Sequence, residues 1–310
     1  MGLGLAALGR PGYINLGRNQ DLRDLGKGRP VDALRGRAHE VLDAAWAAGI
    51  RYFDVARSYG LAERFLADWL TARAIAPSDV AVGSKWGYTY TADWRVGAAV
   101  NEVKDHSVDT LRRQLAESRA VLGPWLQLYQ IHSATRESGV LTNAAVLTEL
   151  ARARADGLLI GLSVSGPGQA DTIRQALEVR PDGLALFGAV QATWNVLESS
   201  AGDALAEAHA EGLGVIVKEA LANGRVMTGA PARALADVGG DATPDAVAIA
   251  AALVQPWADI VLSGAVTPAQ LRSNVDAMRV DLREDYRVAI AAVREDPDID
   301  WTTRGALAWA

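Results

Sequence analysis

The 310-residue chain contains no cysteine. Disulfide bonds, thiolate catalysis and cysteine-type zinc sites are therefore excluded, although this absence does not by itself fix a compartment. No stretch approaches the ~20 consecutive apolar residues of a membrane-spanning helix. One of the longest apolar runs, Ala246–Val254, has the length of a buried helix segment. An excess of basic charge is also lacking, since 31 Lys and Arg stand against 37 Asp and Glu for a net charge of −6. Such a chain has no general attraction for nucleic acid or an anionic membrane, and neither is expected as a partner. The first nine residues are apolar but short, with no basic segment and no hydroxyl residue at position 6. They read as neither a secretion signal nor a myristoylation site, so a cytoplasmic location is expected. No linker or low-complexity tract divides the chain, which predicts a single domain over residues 1–310. The 50% hydrophobic content is that of a globular protein with a large core.

What is present is an alternation. Short apolar runs at Leu3–Leu8, Tyr52–Val55, Val80–Val82, Leu126–Ile131, Leu158–Val164, Leu184–Val190, Val215–Val217 and Ile260–Leu262 read as strands. Between and after them, Ala38–Ala48, Ala62–Ala74, Val108–Val121, Ala144–Ala153, Ala170–Glu178, Asp203–Ala210, Ala246–Val254 and Pro268–Met278 have the length of helices. Gly49, Gly157 and Gly212 stand where helices end and a left-handed residue is wanted. Pro244 and Pro268 stand where a first turn begins. Strand–helix alternation implies parallel strands with crossovers, and eight units predict an α/β fold of the (β/α)8 TIM-barrel type. A doubly wound open sheet is the alternative.

Two segments interrupt the alternation. Arg10–Arg37 carries seven basic and three acidic residues and reads as a solvated loop. Trp86–His106 is rich in aromatics, and Trp86, Tyr88, Tyr90 and Trp94 read as a functional surface because exposing them together is costly. In a barrel, function sits at the C-terminal ends of strands. Asp54 ends the second strand, Tyr59 follows it by five residues, Lys85 ends the third strand and His132 the fourth. Their chemistry is coherent. Lys85 could lower the high pKa of the Tyr59 phenol, Asp54 could balance the ammonium, and His132 could orient a substrate oxygen. Such a set can polarise a carbonyl and protonate the developing alkoxide, but a nicotinamide would have to supply the hydride.

The motifs carrying these residues are Gly49-Ile50-Arg51-Tyr52-Phe53-Asp54, Ser58-Tyr59-Gly60, Gly83-Ser84-Lys85 and Leu128-Tyr129-Gln130-Ile131-His132. Further on stand Ile160-Gly161-Leu162-Ser163, Val190-Gln191, Gly214-Val215-Ile216-Val217 and Ser263-Gly264-Ala265 with Asn274. Together they resemble the aldo-keto reductase family, nearly end to end. The resemblance implies a (β/α)8 barrel and metal-free, NAD(P)-dependent reduction of an aldehyde or ketone, reversible as alcohol oxidation. It implies Tyr59 as general acid, tuned by Lys85 and Asp54, with His132 orienting the carbonyl. Ser163 and Gln191 would bind the nicotinamide carboxamide. Lys218, Glu219, Ala220, Leu221 and Gly224 would lie along the cofactor, and Gly264, Val266, Gln270 and Asn274 would hold the adenosine end. Trp86 and Tyr88 would contact the substrate, and Trp301 and Trp309 would cover the mouth.

The chain also departs from the family pattern. Val164 stands where an Asn usually contacts the carboxamide, and Lys218 where an aromatic often stacks on the nicotinamide. Trp194 is a candidate replacement for that aromatic. Val266 and Gln270 stand where basic residues usually grip a 2′-phosphate, with Arg272 and Arg225 as candidate substitutes. NADP is expected from the resemblance, with NAD as the alternative. The usual N-terminal floor hairpin is expected to be missing, its cover supplied by other side chains or by a partner copy, so both a monomer and a homodimer fit. Competing readings are a non-catalytic nicotinamide-binding sensor, a redox-neutral enzyme that retains its cofactor, and a Schiff-base enzyme using Lys85 as nucleophile.

Overall fold

The computed structural model describes residues 1–283 and 285–310. Its strands in chain order are β1 (Gly2–Gly4), β2 (Tyr52–Asp54), β3 (Ala81–Trp86), β4 (Tyr88–Tyr90), β5 (Glu102–Lys104), β6 (Leu126–Ala134), β7 (Leu159–Val164), β8 (Ala189–Thr193), β9 (Gly214–Lys218) and β10 (Ile260–Ser263). Eight of them close a barrel in the order β1-β10-β9-β8-β7-β6-β3-β2, with every pair parallel. β4 and β5 form a separate antiparallel hairpin.

The pleat decides what each strand residue does, because successive side chains face opposite sides. Phe53, Val82, Ile131, Leu162, Val190 and Val217 point outward and are fully buried against the surrounding helices. Each such burial contributes about 1.5–3 kcal/mol. The intervening residues point inward. Near the barrel floor, Tyr52, Leu128, Ala189, Ile216 and Leu262 pack into one apolar plug. Above the plug the inward positions turn polar.

Local signals set the helix ends. Ser107, Asn143 and Thr267 cap helices by accepting from the amides of Thr110, Val146 and Gln270. Gly49, Gly157 and Gly212 adopt φ of 86°, 98° and 88° after helices, a conformation that costs any side-chain-bearing residue more. Among the described residues no helix is long and apolar enough to cross a membrane.

Several boundaries differ from expectation. The first strand ends at Gly4 rather than Leu8, because Leu8 and Gly9 turn back to bond the Leu5 carbonyl at 3.1 and 2.9 Å. The run from Leu184 pairs only from Ala189. The preceding Pro181-Asp182-Gly183 turn, with Gly183 at φ 83°, leaves Leu184 exposed. The first long helix begins at Val31, inside the segment read as a solvated loop. That segment is corrected further: Arg10, Arg18 and Arg29 are buried, since the guanidiniums of Arg18 and Arg29 bond backbone carbonyls of the N-terminal turns and that of Arg10 bonds the Ser58 carbonyl after β2.

Candidate active site

Asp54, at the end of β2, is the hub of the barrel interior. One carboxylate oxygen pairs with the Lys85 ammonium from β3. The other accepts from Gln191 Nε2 of β8 at 2.9 Å, Tyr52 OH at 3.3 Å and Gln130 Nε2 of β6 at 3.4 Å. Lys85 Nζ also donates to the Val55 carbonyl at 3.2 Å. A buried pair is tolerated when hydrogen bonds meet its remaining capacity, and these contacts meet most of it. Burial pulls the Lys85 pKa down while the adjoining carboxylate opposes it.

Tyr59 sits over this pair, with Lys85 Nζ 5.0 Å from its ring centroid. Its hydroxyl is 3.5 Å from His132 Nε2, and His132 Nδ1 is 3.4 Å from Ser58 Oγ. Burial, together with the Lys85 and Arg10 cations, holds His132 well below the usual imidazole range, so it is neutral. If Ser58 donates to Nδ1, Nε2 carries the hydrogen and points toward the Tyr59 hydroxyl. The expected lowering of the Tyr59 phenol by Lys85 is not found. Burial and then the Asp54 carboxylate push it well above 10, opposed by the Arg10 guanidinium.

Asp54, Tyr59 and His132 open onto a cavity of about 670 Å³, within the range of cofactor and ligand sites. Every position assigned to the cofactor from sequence, from Ser163 and Gln191 through Lys218–Leu221 and Gly224 to Gly264, Val266, Gln270 and Asn274, lines the same cavity. Lys85 does not line it and stands behind Tyr59 and Asp54. Val164 faces outward into the core, which removes it from any contact with the cavity. Lys218 faces inward. Its Nζ donates to Thr193 Oγ1 at 2.6 Å and lies 3.9 Å from Glu219 Oε1, and burial lowers its pKa to about 8. Trp194 is no substitute for a stacking aromatic, because it packs edge-on against Trp257 in the core.

The substrate assignments need one correction. Trp86 is fully buried outside the cavity, edge-on to His106 at 5.5 Å. As the strand neighbour of inward-facing Lys85 it must face the other way. Tyr88, on the hairpin, does line the cavity, 4.9 Å from the His132 ring. Tyr90 and Trp94 do not; Trp94 packs on Phe65 and donates to the Arg29 carbonyl at 2.9 Å.

Several cavity residues had no role in the sequence reading. Arg10 stacks over Tyr13, Tyr59 and Trp309 at 5.1, 5.2 and 4.6 Å and pairs with Glu102 at 2.7 Å. Arg304, from the helix Pro297–Gly305, makes a two-pronged bond to Glu219 at 2.8 and 2.5 Å. Trp301 and Trp309, which the sequence reading did place over the mouth, line the cavity from the same C-terminal segment, which is tied to Tyr13 by two backbone bonds at Ala310. The basic composition of the first loop was the one signal in sequence that could have pointed to Arg10.

Residues 35–295 match the profile of the Aldo/keto reductase family. The chain belongs to that family. Pyridoxal 4-dehydrogenase of Microbacterium luteolum is 29% identical over 56% of this chain and 58% of its own length. D-threo-aldose 1-dehydrogenase of a Pseudomonas species is 28% identical over 60% of each chain. The chain thus spans about three fifths of the curated relatives it matches. Among solved structures, a holo-form aldo-keto reductase from Bacillus halodurans superposes with a TM-score of 0.71 at 17% identity, covering 96% of this chain and 92% of that one. The glycerol dehydrogenase of Gluconobacter oxydans gives 0.68 at 21%, covering 94% and 90%. These two likenesses establish the shared barrel fold.

Aldo-keto reductases use a nicotinamide dinucleotide, and the donor set here suits one. A carboxamide needs one donor and one acceptor. Ser163 Oγ accepts from the Ser133 amide at 2.8 Å and keeps its own proton free to donate. Gln191, which also lines the cavity, spends its amide nitrogen on Asp54, so its carbonyl oxygen is the acceptor it has left to offer.

Proposed function

We propose that the chain is an NAD(P)-dependent oxidoreductase that reduces an aldehyde or ketone to an alcohol and catalyses the reverse oxidation. The observation that carries this reading is the Tyr59 hydroxyl beside neutral His132, facing the cavity, with the Lys85–Asp54 pair behind it. A reduced nicotinamide, when bound against Ser163 and Gln191, supplies the hydride. The chain's own residues supply the rest. A substrate oxygen held between Tyr59 Oη and His132 Nε2 accepts a hydrogen bond from each, which polarises the carbonyl. As negative charge develops on that oxygen, Tyr59 transfers its proton to it and the product leaves as the neutral alcohol. The phenolate left behind faces the Lys85 and Arg10 cations, and it regains a proton before the next turnover. In the oxidative direction the same phenolate takes the alcohol proton.

Tyr88, Trp301 and Trp309 are aromatic walls of the cavity, which favours a substrate with a flat or apolar face. The relatives named above act on pyridoxal and on aldoses, both carbonyl or hemiacetal compounds of small size, and a small-molecule substrate of that kind suits this cavity. The Schiff-base alternative is disfavoured because Lys85 Nζ is bonded to Asp54 and the Val55 carbonyl and does not reach the cavity.

The test is multiple-turnover reduction of a carbonyl panel, including aromatic aldehydes and aldoses, followed by loss of NADH or NADPH absorbance. Stoichiometric cofactor consumption over many turnovers is expected. Tight dinucleotide binding with no turnover on any member would favour the sensor reading instead.

A further inference from the structure

The cavity has two chemically different ends. At one, Gln191 reaches Asp54 across the barrel beneath Tyr59 and His132, and any hydride donor must sit there. The other end of a bound dinucleotide, its adenosine ribose, must then lie away from the barrel axis. The lining there is built after β10, by Gly264, Val266, Gln270 and Asn274, and by Asp21 from the N-terminal loop.

Gln270 is braced from both sides. Its Oε1 accepts from the Val266 amide at 3.0 Å, and its Nε2 donates to Asp21 Oδ2 at 2.8 Å. That second bond, between residues 249 positions apart, holds the Asp21 carboxylate on the cavity wall. Asp245, which also lines this end, accepts from Asn274 Nδ2 at 2.8 Å. Two of the cations nearby are committed elsewhere, and a third lies outside the cavity. Arg18 lines the cavity, but its donors go to the carbonyls of Ala7, Arg10, Pro11 and Ala310. Arg225 is held by Glu295 and Asp300 and does not line the cavity. Arg272 is exposed and does not line it either. Neither Arg225 nor Arg272 lines the cavity, and Arg18, which does, has its guanidinium spent on carbonyls.

A ribose diol brings two hydroxyl donors, which a carboxylate accepts well. A 2′-phosphate brings roughly −1.5 to −2 charges at neutral pH, and here the group held on the wall to meet it is a carboxylate rather than a cation. The general pattern at dinucleotide sites is an acidic residue on the 2′-hydroxyl for NAD and an Arg for the 2′-phosphate of NADP. We propose that Asp21, held by Gln270, is the cofactor-specificity residue of this chain and selects NAD(H) over NADP(H). The proposal reverses the cofactor expected from family resemblance, and it rests on the dinucleotide-dependent function proposed above.

The test is a binding titration of the full chain with NADH and with NADPH, read by quenching of Trp fluorescence, at low and high ionic strength. NADH is expected to bind at least about tenfold more tightly, with the ratio narrowing as salt screens the repulsion. Asp21→Asn keeps the side-chain shape and its bond to Gln270 while removing the charge. It should narrow the ratio by about tenfold, chiefly by tightening NADPH. Equal or tighter binding of NADPH by the wild-type chain overturns the proposal, and so does an unchanged ratio in Asp21→Asn. Binding of neither dinucleotide overturns the underlying functional reading and this inference with it. A clear NADH preference without carbonyl turnover would overturn only the catalytic reading.

Discussion

Two ion pairs border the cavity, one buried and one half-buried, and they are anchored differently. Lys85–Asp54 joins adjacent strands β3 and β2, whose register aligns Asp54 with Gly83, and Gln191 closes it from across the barrel. It cannot shift without opening the barrel. Glu219–Arg304 instead joins the end of β9 to the helix Pro297–Gly305. Glu219 is held at φ 57°, a left-handed conformation that costs a non-glycine residue about 1–3 kcal/mol. The Arg304 and Lys218 cations offset its burial and pull its pKa to about 2. The interior pair thus underlies Tyr59, the proposed proton donor, whereas the rim pair fixes a covering segment. The first pair is locked within the barrel sheet, whereas the second holds a peripheral helix by side chains.

The largest expected effect probes the interior. Tyr59→Phe should lower carbonyl reduction by about 10²–10⁴-fold while leaving the dinucleotide dissociation constant within about twofold. Steady-state rates and a fluorescence titration measure both, and near-normal turnover would remove Tyr59 from the role of acid.

Stability separates the two pairs directly. Lys85→Met strands the Asp54 carboxylate in the barrel and should cost about 3–5 kcal/mol in urea unfolding. Arg304→Met should cost less, about 1–3 kcal/mol, because Lys218 stays 3.9 Å from Glu219 and the Arg304 side chain is 25% exposed. Equal losses would break the distinction between scaffold and rim.

The next effect is on pH dependence. With its pKa raised well above 10, Tyr59 remains protonated through neutral pH, so the reductive rate should stay flat there. Alcohol oxidation needs the phenolate and should rise steadily toward about pH 10. An oxidative rate already on a plateau at neutral pH would mean that the bound cofactor resets the phenol.

The smallest effect is on acid stability. His132 is held well below 6.5 and His106 is lowered to about 4, both chiefly by burial. Below 6.5 the unfolded chain binds protons that the folded chain refuses, so stability should fall as pH drops from 6.5 toward 4. Thermal melts across that window should show the decline, and His106→Asn should flatten part of it.

The barrel itself was legible in the sequence, because strand period, helix length and glycine or proline punctuation are local properties. So was the inward placement of Asp54, Lys85, His132, Ser163 and Gln191, which follows from strand position and a period of two. The same period carried the outward direction of Trp86, one residue past Lys85, and adjacency was the wrong guide to contact there. The β4–β5 hairpin and the C-terminal helices lay outside the eight-fold alternation and were not foreseen.

Tertiary structure alone decided the cavity walls. Arg10 and Arg18 look like loop charges until they are buried against carbonyls. Lys218 faces inward by its place in β9, but its ammonium is received there only because Thr193 and Glu219 are brought beside it. Asp21 meets Gln270, and Arg304 meets Glu219, across separations of 249 and 85 residues. Local sequence sets which way a backbone turns, but a buried charge is set by what else arrives to desolvate and pair it. That depends on the packing of distant segments, and no periodicity encodes it.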